Sequence, residues 1–132
     1  MRTICKRLRR GDDLLGSIME IAKEEDLALA TVLSAVGCVS RIRLRDAGGV
    51  RVREIEAPFE IVSLHGTVSR QRCHLHASFS GEDLTTVGGH LMEGCTVNTT
   101  CELILLELED WRCGTEDDPE TGYDEIVFKK RA

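Results

Sequence analysis

The chain has 132 residues and a mass of 14.7 kDa, enough for a substantial core but too short for two ordinary domains, so residues 1–132 read as one unit. Its 42% hydrophobic and 30% charged residues are those of a soluble globular protein, and no apolar run approaches the roughly 20 residues a membrane-crossing helix needs. A formal charge of −6 repels polyphosphate from the molecule as a whole, which argues against nucleic acid as the default partner.

The first ten residues are basic but lack the apolar centre of a signal peptide, and Asp12, Asp13 and Glu20 do not suit a transit peptide, so the cytoplasm is the expected compartment. Thr3 to Leu8 reads as a first strand. Gly11-Asp12-Asp13 then opens a helix, since an acidic residue near the N-cap accepts from orphan amides and suits the helix dipole. Leu14, Ile18, Ile21 and Ala22 follow helical spacing to about Glu25, giving one amphipathic helix packed on a sheet. Leu27 to Val39 is small and β-branched with a bend at Gly37. Arg41 to Arg45 and Val50 to Ile55 flank Ala47-Gly48-Gly49 as a hairpin. Pro58-Phe59 starts a further strand to about Val68, on which Phe59, Ile61, Ser63 and His65 share a face; this makes His65 a core or edge histidine. After the histidine-bearing segment, Val97 to Leu108 is a long apolar run whose Leu103-Ile104-Leu105-Leu106 centre reads as a central strand buried on both faces. Trp111 closes it. The acidic stretch from Glu116 to Glu125 reads as a solvated loop with a turn at Asp117 to Gly122, before a last short strand from Glu125 to Lys129.

The six cysteines form no Cys-X-X-Cys pair, so free thiols are expected, with Cys38, Cys73, Cys95 and Cys101 among apolar neighbours. Arginines at 41, 43, 45, 51 and 53 alternate with Ile42, Leu44 and Val52; this is the solvated face of two strands, with a basic groove as the alternative.

Chemistry concentrates between Cys73 and Leu91, which holds three of the four histidines. Cys73, Leu75, Ala77 and Phe79 alternate with His74, His76 and Ser78, the period of a half-buried strand. Ser80-Gly81-Glu82-Asp83 is turn chemistry, and the run to Leu91 returns as the second arm of a hairpin. With the turn centred on Glu82, Cys73 faces Leu91, Leu75 faces Gly89, Ala77 faces Val87 and His74 faces His90. The apolar members then lie on one side and His74, His76 and His90 on the other, within about 5–7 Å of one another. Three histidines are a standard ligand set for a catalytic zinc, with a fourth position left for water or substrate. A one-residue slip, or a bulge at Gly88-Gly89, would send His90 to the opposite face and leave ordinary histidines on a polar strand.

The segments Gly11-Asp12-Asp13-Leu14-Leu15, Ala35-Val36-Gly37-Cys38-Val39-Ser40, Pro58-Phe59-Glu60-Ile61-Val62-Ser63-Leu64-His65-Gly66-Thr67-Val68-Ser69, His74-Leu75-His76 and Gly88-Gly89-His90-Leu91-Met92-Glu93-Gly94-Cys95 resemble, in order and over nearly the whole chain, the plants and prokaryotes conserved (PPC) domain family. The resemblance implies an α+β domain with a mixed, strongly curved sheet, one main helix packed against it, and a homotrimer. Plant members follow an AT-hook in nuclear DNA-binding proteins, whereas this chain has no Arg-Gly-Arg-Pro hook. Prokaryotic members carry the three histidines, and the fold is similar to that of acetolactate decarboxylase, whose zinc is held by a His-X-His and a later histidine. His74, His76 and His90 stand where that pattern places metal ligands, with zinc the expected divalent ion. Three functions follow as expectations: a metal-centred binder of, or enzyme acting on, a small molecule; a DNA-associated regulatory protein; and a structural trimer in which any metal is a staple. For the first, Glu93 is the candidate general acid or base, three residues past His90, and Glu60 is the second choice.

Overall fold

A computed structural model describes residues 1–132. Its elements in chain order are β1 (Arg2–Arg9), α1 (Leu14–Glu24), β2 (Ala30–Arg45), β3 (Val52–Val68), β4 (Cys73–Ser80), β5 (Thr86–Leu91), β6 (Thr96–Glu107), β7 (Trp111–Asp118) and β8 (Tyr123–Lys130). The architecture is α+β, as the sequence implies. Asp13 caps α1 from an extended backbone conformation, its carboxylate accepting from the Gly16 N–H at 2.7 Å. The other carboxylate oxygen accepts from the Gly94 N–H at 2.7 Å, tying the start of the helix to the turn between β5 and β6. Leu14, Ile18, Ile21 and Ala22 form the buried stripe of α1.

Six strands form one sheet in the order β1-β6-β2-β3-β4-β5, and the end of β2 also pairs with β5. The ring β2-β3-β4-β5 therefore closes on itself, which is the strong curvature expected. Every pairing is antiparallel, rather than mixed. β2 and β3 are long continuous strands where the sequence suggested shorter pieces. Their ladder is interrupted between Val39 and Arg41, and Pro58, which has no N–H to give, sits in that gap opposite the irregularity.

Twenty-five buried residues make one core cluster, with Leu75, Phe79, Leu91, Val97 and Leu105 among them. β6 does not bury both faces as its apolar run suggested. Leu103 and Leu105 are buried, while Ile104 and Leu106 between and beyond them are half-buried, so the strand alternates like its neighbours. The segment read as a solvated acidic loop is the end of β7, a turn at residues 119–122 where the sequence placed one, and the start of β8, which together make a separate two-stranded sheet. No apolar alternation marks β7; its order comes from pairing with β8 along its whole length, from Trp111 opposite Lys130 to Asp118 opposite Tyr123. No helix is long and apolar enough to cross a membrane.

Candidate functional site

β4 places Leu75, Ala77 and Phe79 in the core, which by strand alternation turns His74 and His76 outward. β5 returns antiparallel with no bulge at Gly88-Gly89, and His90 lands on the same side. The register differs from the expectation in one respect. His90 pairs with His76, not His74, because Ala77 lies opposite Gly89 and Phe79 opposite Val87. The hairpin has slipped by two residues, a change that leaves every side chain on its original face. The rings of His74 and His76 lie 5.2 Å apart, those of His74 and His90 also 5.2 Å, and those of His76 and His90 5.6 Å.

One ligand-capable nitrogen from each of the three lies within 4.8 Å of the other two. Nitrogens 2.0–2.1 Å from a tetrahedral zinc stand about 3.3 Å from one another, so a contraction of roughly 1.5 Å brings the set to ligand distance. The Nδ1 of His90 is buried with no hydrogen-bond partner, a lone pair or N–H that the chain leaves unanswered. Burial, then the Arg45 cation and the neighbouring imidazoles, lowers the His90 pKa to about 4. Burial, then His76 and Arg72, lowers that of His74, with Glu125 pulling the other way. Both shifts favour the neutral ring, the state in which imidazole donates to a metal. The three histidines could hold a metal ion.

Two further features of the site were not legible in the sequence. β2 crosses to β5 with Leu44 opposite Leu91 and Arg45 opposite His90. That closure depends on Gly89, where a Cβ would stand 2.8 Å from the Arg45 carbonyl oxygen. A cavity of about 400 Å³ opens beside the rings, lined by Arg45, Arg72, His74 and His90 on the main sheet and by Tyr123, Asp124 and Glu125 from the β7–β8 hairpin. The second feature is His65. A register shift between Ile61 and Ser63 reverses the alternation of β3, so Leu64 and Val68 are buried and His65 is exposed opposite His76, with ring centroids 6.4 Å apart. His65 is therefore not on the face of Phe59 and Ile61, where the unbroken pattern put it.

Glu93 is exposed in the turn after β5, where its carbonyl accepts from Arg43 Nη1 at 3.1 Å. Glu60 is exposed on β3 opposite Ser80. The arginine-rich strands are largely compensated: Arg41 and Arg43 reach the same Glu54 oxygen at 2.6 and 3.1 Å, and Arg53 reaches Asp46 at 3.3 Å. All six cysteines are free, and burial raises the thiols of Cys95 and Cys101 to about 11.

The family model for the Plants and Prokaryotes Conserved domain matches residues 1–109. The chain belongs to this family. The conserved domain accordingly includes all three clustered histidines and ends before the β7–β8 hairpin. The chain is 34% identical over 132 residues to a protein from Synechococcus named bifunctional protein GlmU, covering all of this chain but 21% of that one. It therefore spans about a fifth of that relative's length. Among solved structures, a hypothetical protein from Salmonella superposes with a TM-score of 0.95 at 30% identity, covering 99% of this chain and 95% of that one. A protein from Archaeoglobus fulgidus described as metal-containing gives a TM-score of 0.77 at 30% identity, covering 96% of this chain and 94% of that one. A Bacteroides thetaiotaomicron protein described as a candidate for DNA binding shares the fold with a TM-score of 0.85 at 18% identity, covering 96% and 91% of the two chains.

Proposed function

We propose that this domain is a metal-centred binder of, or catalyst acting on, a small molecule, with a divalent ion held by His74, His76 and His90. The observation that carries the reading is the convergence of three imidazoles, their nitrogens within 4.8 Å, with His74 and His90 on the wall of a cavity of about 400 Å³. A closely related fold described as metal-containing supports it. Three imidazoles suit zinc. Such an ion supplies Lewis acidity and a lowered pKa for bound water at its fourth position. The chain's own residues shape the remainder: Glu125 stands on the cavity wall, while Glu93, in the turn three residues past His90, is the proton-transfer group that sequence spacing offers. Glu125→Gln and Glu93→Gln separate these two roles.

The exposed apolar side chains Leu33, Val36, Ile55 and Val62 support the homotrimer that the family resemblance implies, which sedimentation of the purified protein tests. Six free thiols suit the reducing cytoplasm. DNA association ranks second, because three of the arginines that would carry it are already paired with acids.

Metal analysis of protein purified without a polyhistidine tag tests the main reading. One equivalent of divalent metal is expected. His74→Ala and His90→Ala are each expected to weaken binding by about 100-fold, a share of the roughly 10–16 kcal/mol that four-ligand zinc sites supply. No stoichiometric metal, together with unchanged behaviour of both variants, removes the reading.

A further inference from the structure

The cavity beside the histidines has a charge pattern that the metal reading alone does not use. Its sheet-side wall carries Arg45 and Arg72. Arg45 is held there by register, as the Cα partner of His90 across the β2–β5 closure, so the two side chains leave the sheet on the same side. Arg72 keeps the parity of His74 and His76 at the entrance to β4. Five other arginines of the chain, Arg2, Arg41, Arg43, Arg53 and Arg70, find a carboxylate within 4 Å. Arg45 and Arg72 find none, although Asp124 and Glu125 line the same cavity. Moreover, the Arg45 Nε and the Arg72 Nη1 are buried without any hydrogen-bond partner. A buried guanidinium nitrogen left unpaired is costly, and the group that satisfies it best is a planar or tetrahedral oxyanion able to accept from the fork of donors.

We propose that the small molecule taken by this site is an oxyanion, carrying a carboxylate or phosphoryl group that accepts from Arg45 and Arg72 while another of its oxygens faces the ion at His74, His76 and His90. The inference rests on the metal reading and adds the ligand class to it. A dication flanked by two guanidiniums, against the two carboxylates of Asp124 and Glu125, leaves the cavity positive even though the whole chain carries a formal −6. The acidic hairpin wall limits the number of negative charges accepted and gives a hydroxyl or amine at the far end of the ligand a place to donate. The cavity of about 400 Å³ holds a molecule of metabolite size rather than a polymer.

The test uses untagged protein stripped of metal and reloaded with cobalt(II), whose visible absorption responds to a change in the fourth ligand. Inorganic phosphate and acetate are titrated separately, to distinguish a phosphoryl from a carboxylate preference. At least one is expected to change the cobalt spectrum saturably at millimolar concentration or below. The Arg45→Gln, Arg72→Gln double variant is expected to weaken that response tenfold or more, with cobalt affinity kept within threefold. The Asp124→Asn, Glu125→Gln double variant is expected to strengthen it, an opposite sign that misfolding would not produce. Cobalt that binds but ignores both anions, or a response that the arginine variant leaves intact, overturns the ligand class and spares the metal site. Failure of cobalt to bind the wild type overturns the metal reading and this inference together.

Discussion

Replacing Gly66 by alanine tests whether the histidine constellation depends on the close packing of β3 against β4. Gly66 pairs with Leu75 and has φ +141°, in the region that side-chain-bearing residues avoid. A Cβ there would stand 2.0 Å from the His74 carbonyl oxygen and 3.0 Å from its carbonyl carbon. Since real Cβ atoms keep at least about 3 Å, the backbone at His74 must retreat by roughly 1 Å or Gly66 must refold locally; neither neighbour is a flexible side-chain end. Backbone strain of about 1–3 kcal/mol adds to an overpacking cost of similar size. Together these amount to about 4 kcal/mol, which for a chain of this length lowers Tm by roughly 10–15 °C. Retreat at His74 also carries its imidazole away from His76 and His90, so metal affinity falls with stability. Thermal unfolding and metal titration of Gly66→Ala check both effects. Gly114→Ala is the control, because nothing lies within 4 Å of the added Cβ and the backbone there is ordinary. A Gly66→Ala protein that melts within about 2 °C of wild type and holds metal equally well would refute the reasoning.

Three other outcomes are expected. His65→Ala should leave metal affinity within threefold of wild type, since His65 lies opposite His76 but outside the group of converging nitrogens; titration calorimetry distinguishes it from His90→Ala. In metal-free protein the His90 pKa is lowered to about 4, so between pH 6.5 and 4 the unfolded chain binds a proton that the folded chain does not, and stability falls as pH is lowered through that window. Removing the group by His90→Gln should flatten the dependence of Tm on pH there, and an unchanged slope would count against the burial and Arg45 effects. Asp13→Ala removes the helix cap and leaves the Gly94 N–H without its acceptor, so denaturant unfolding should show a loss of about 2–3 kcal/mol.

The sequence carried the parts of this fold that depend on period and local chemistry. Asp13 before Leu14, Ile18 and Ile21 marks a helix because capping and a four-residue stripe are local facts. Alternation from Cys73 to Phe79 and the return to Leu91 put three histidines on one face for the same reason. The two-residue slip between β4 and β5 could not be read, because every register of the same parity buries the same side chains. The shift between Ile61 and Ser63 hides equally well: one extra residue on β3 looks like any other until its partner strand is known, and so the side taken by His65 was reversed. Arg45 and the hairpin wall reach the cavity through pairings some 45 residues apart in the chain and through a β7 strand with no apolar rhythm. Their place beside His90 is a property of closure, which no window of the sequence contains.

The β7–β8 hairpin shares no ladder with the six-stranded sheet, yet it supplies Tyr123, Asp124 and Glu125 to the cavity wall. The cavity wall thus draws on two separate parts of the chain, while the three clustered histidines come from β4 and β5 alone. Substitutions on the hairpin can therefore reshape that wall while the ring nitrogens on β4 and β5 stay where they are.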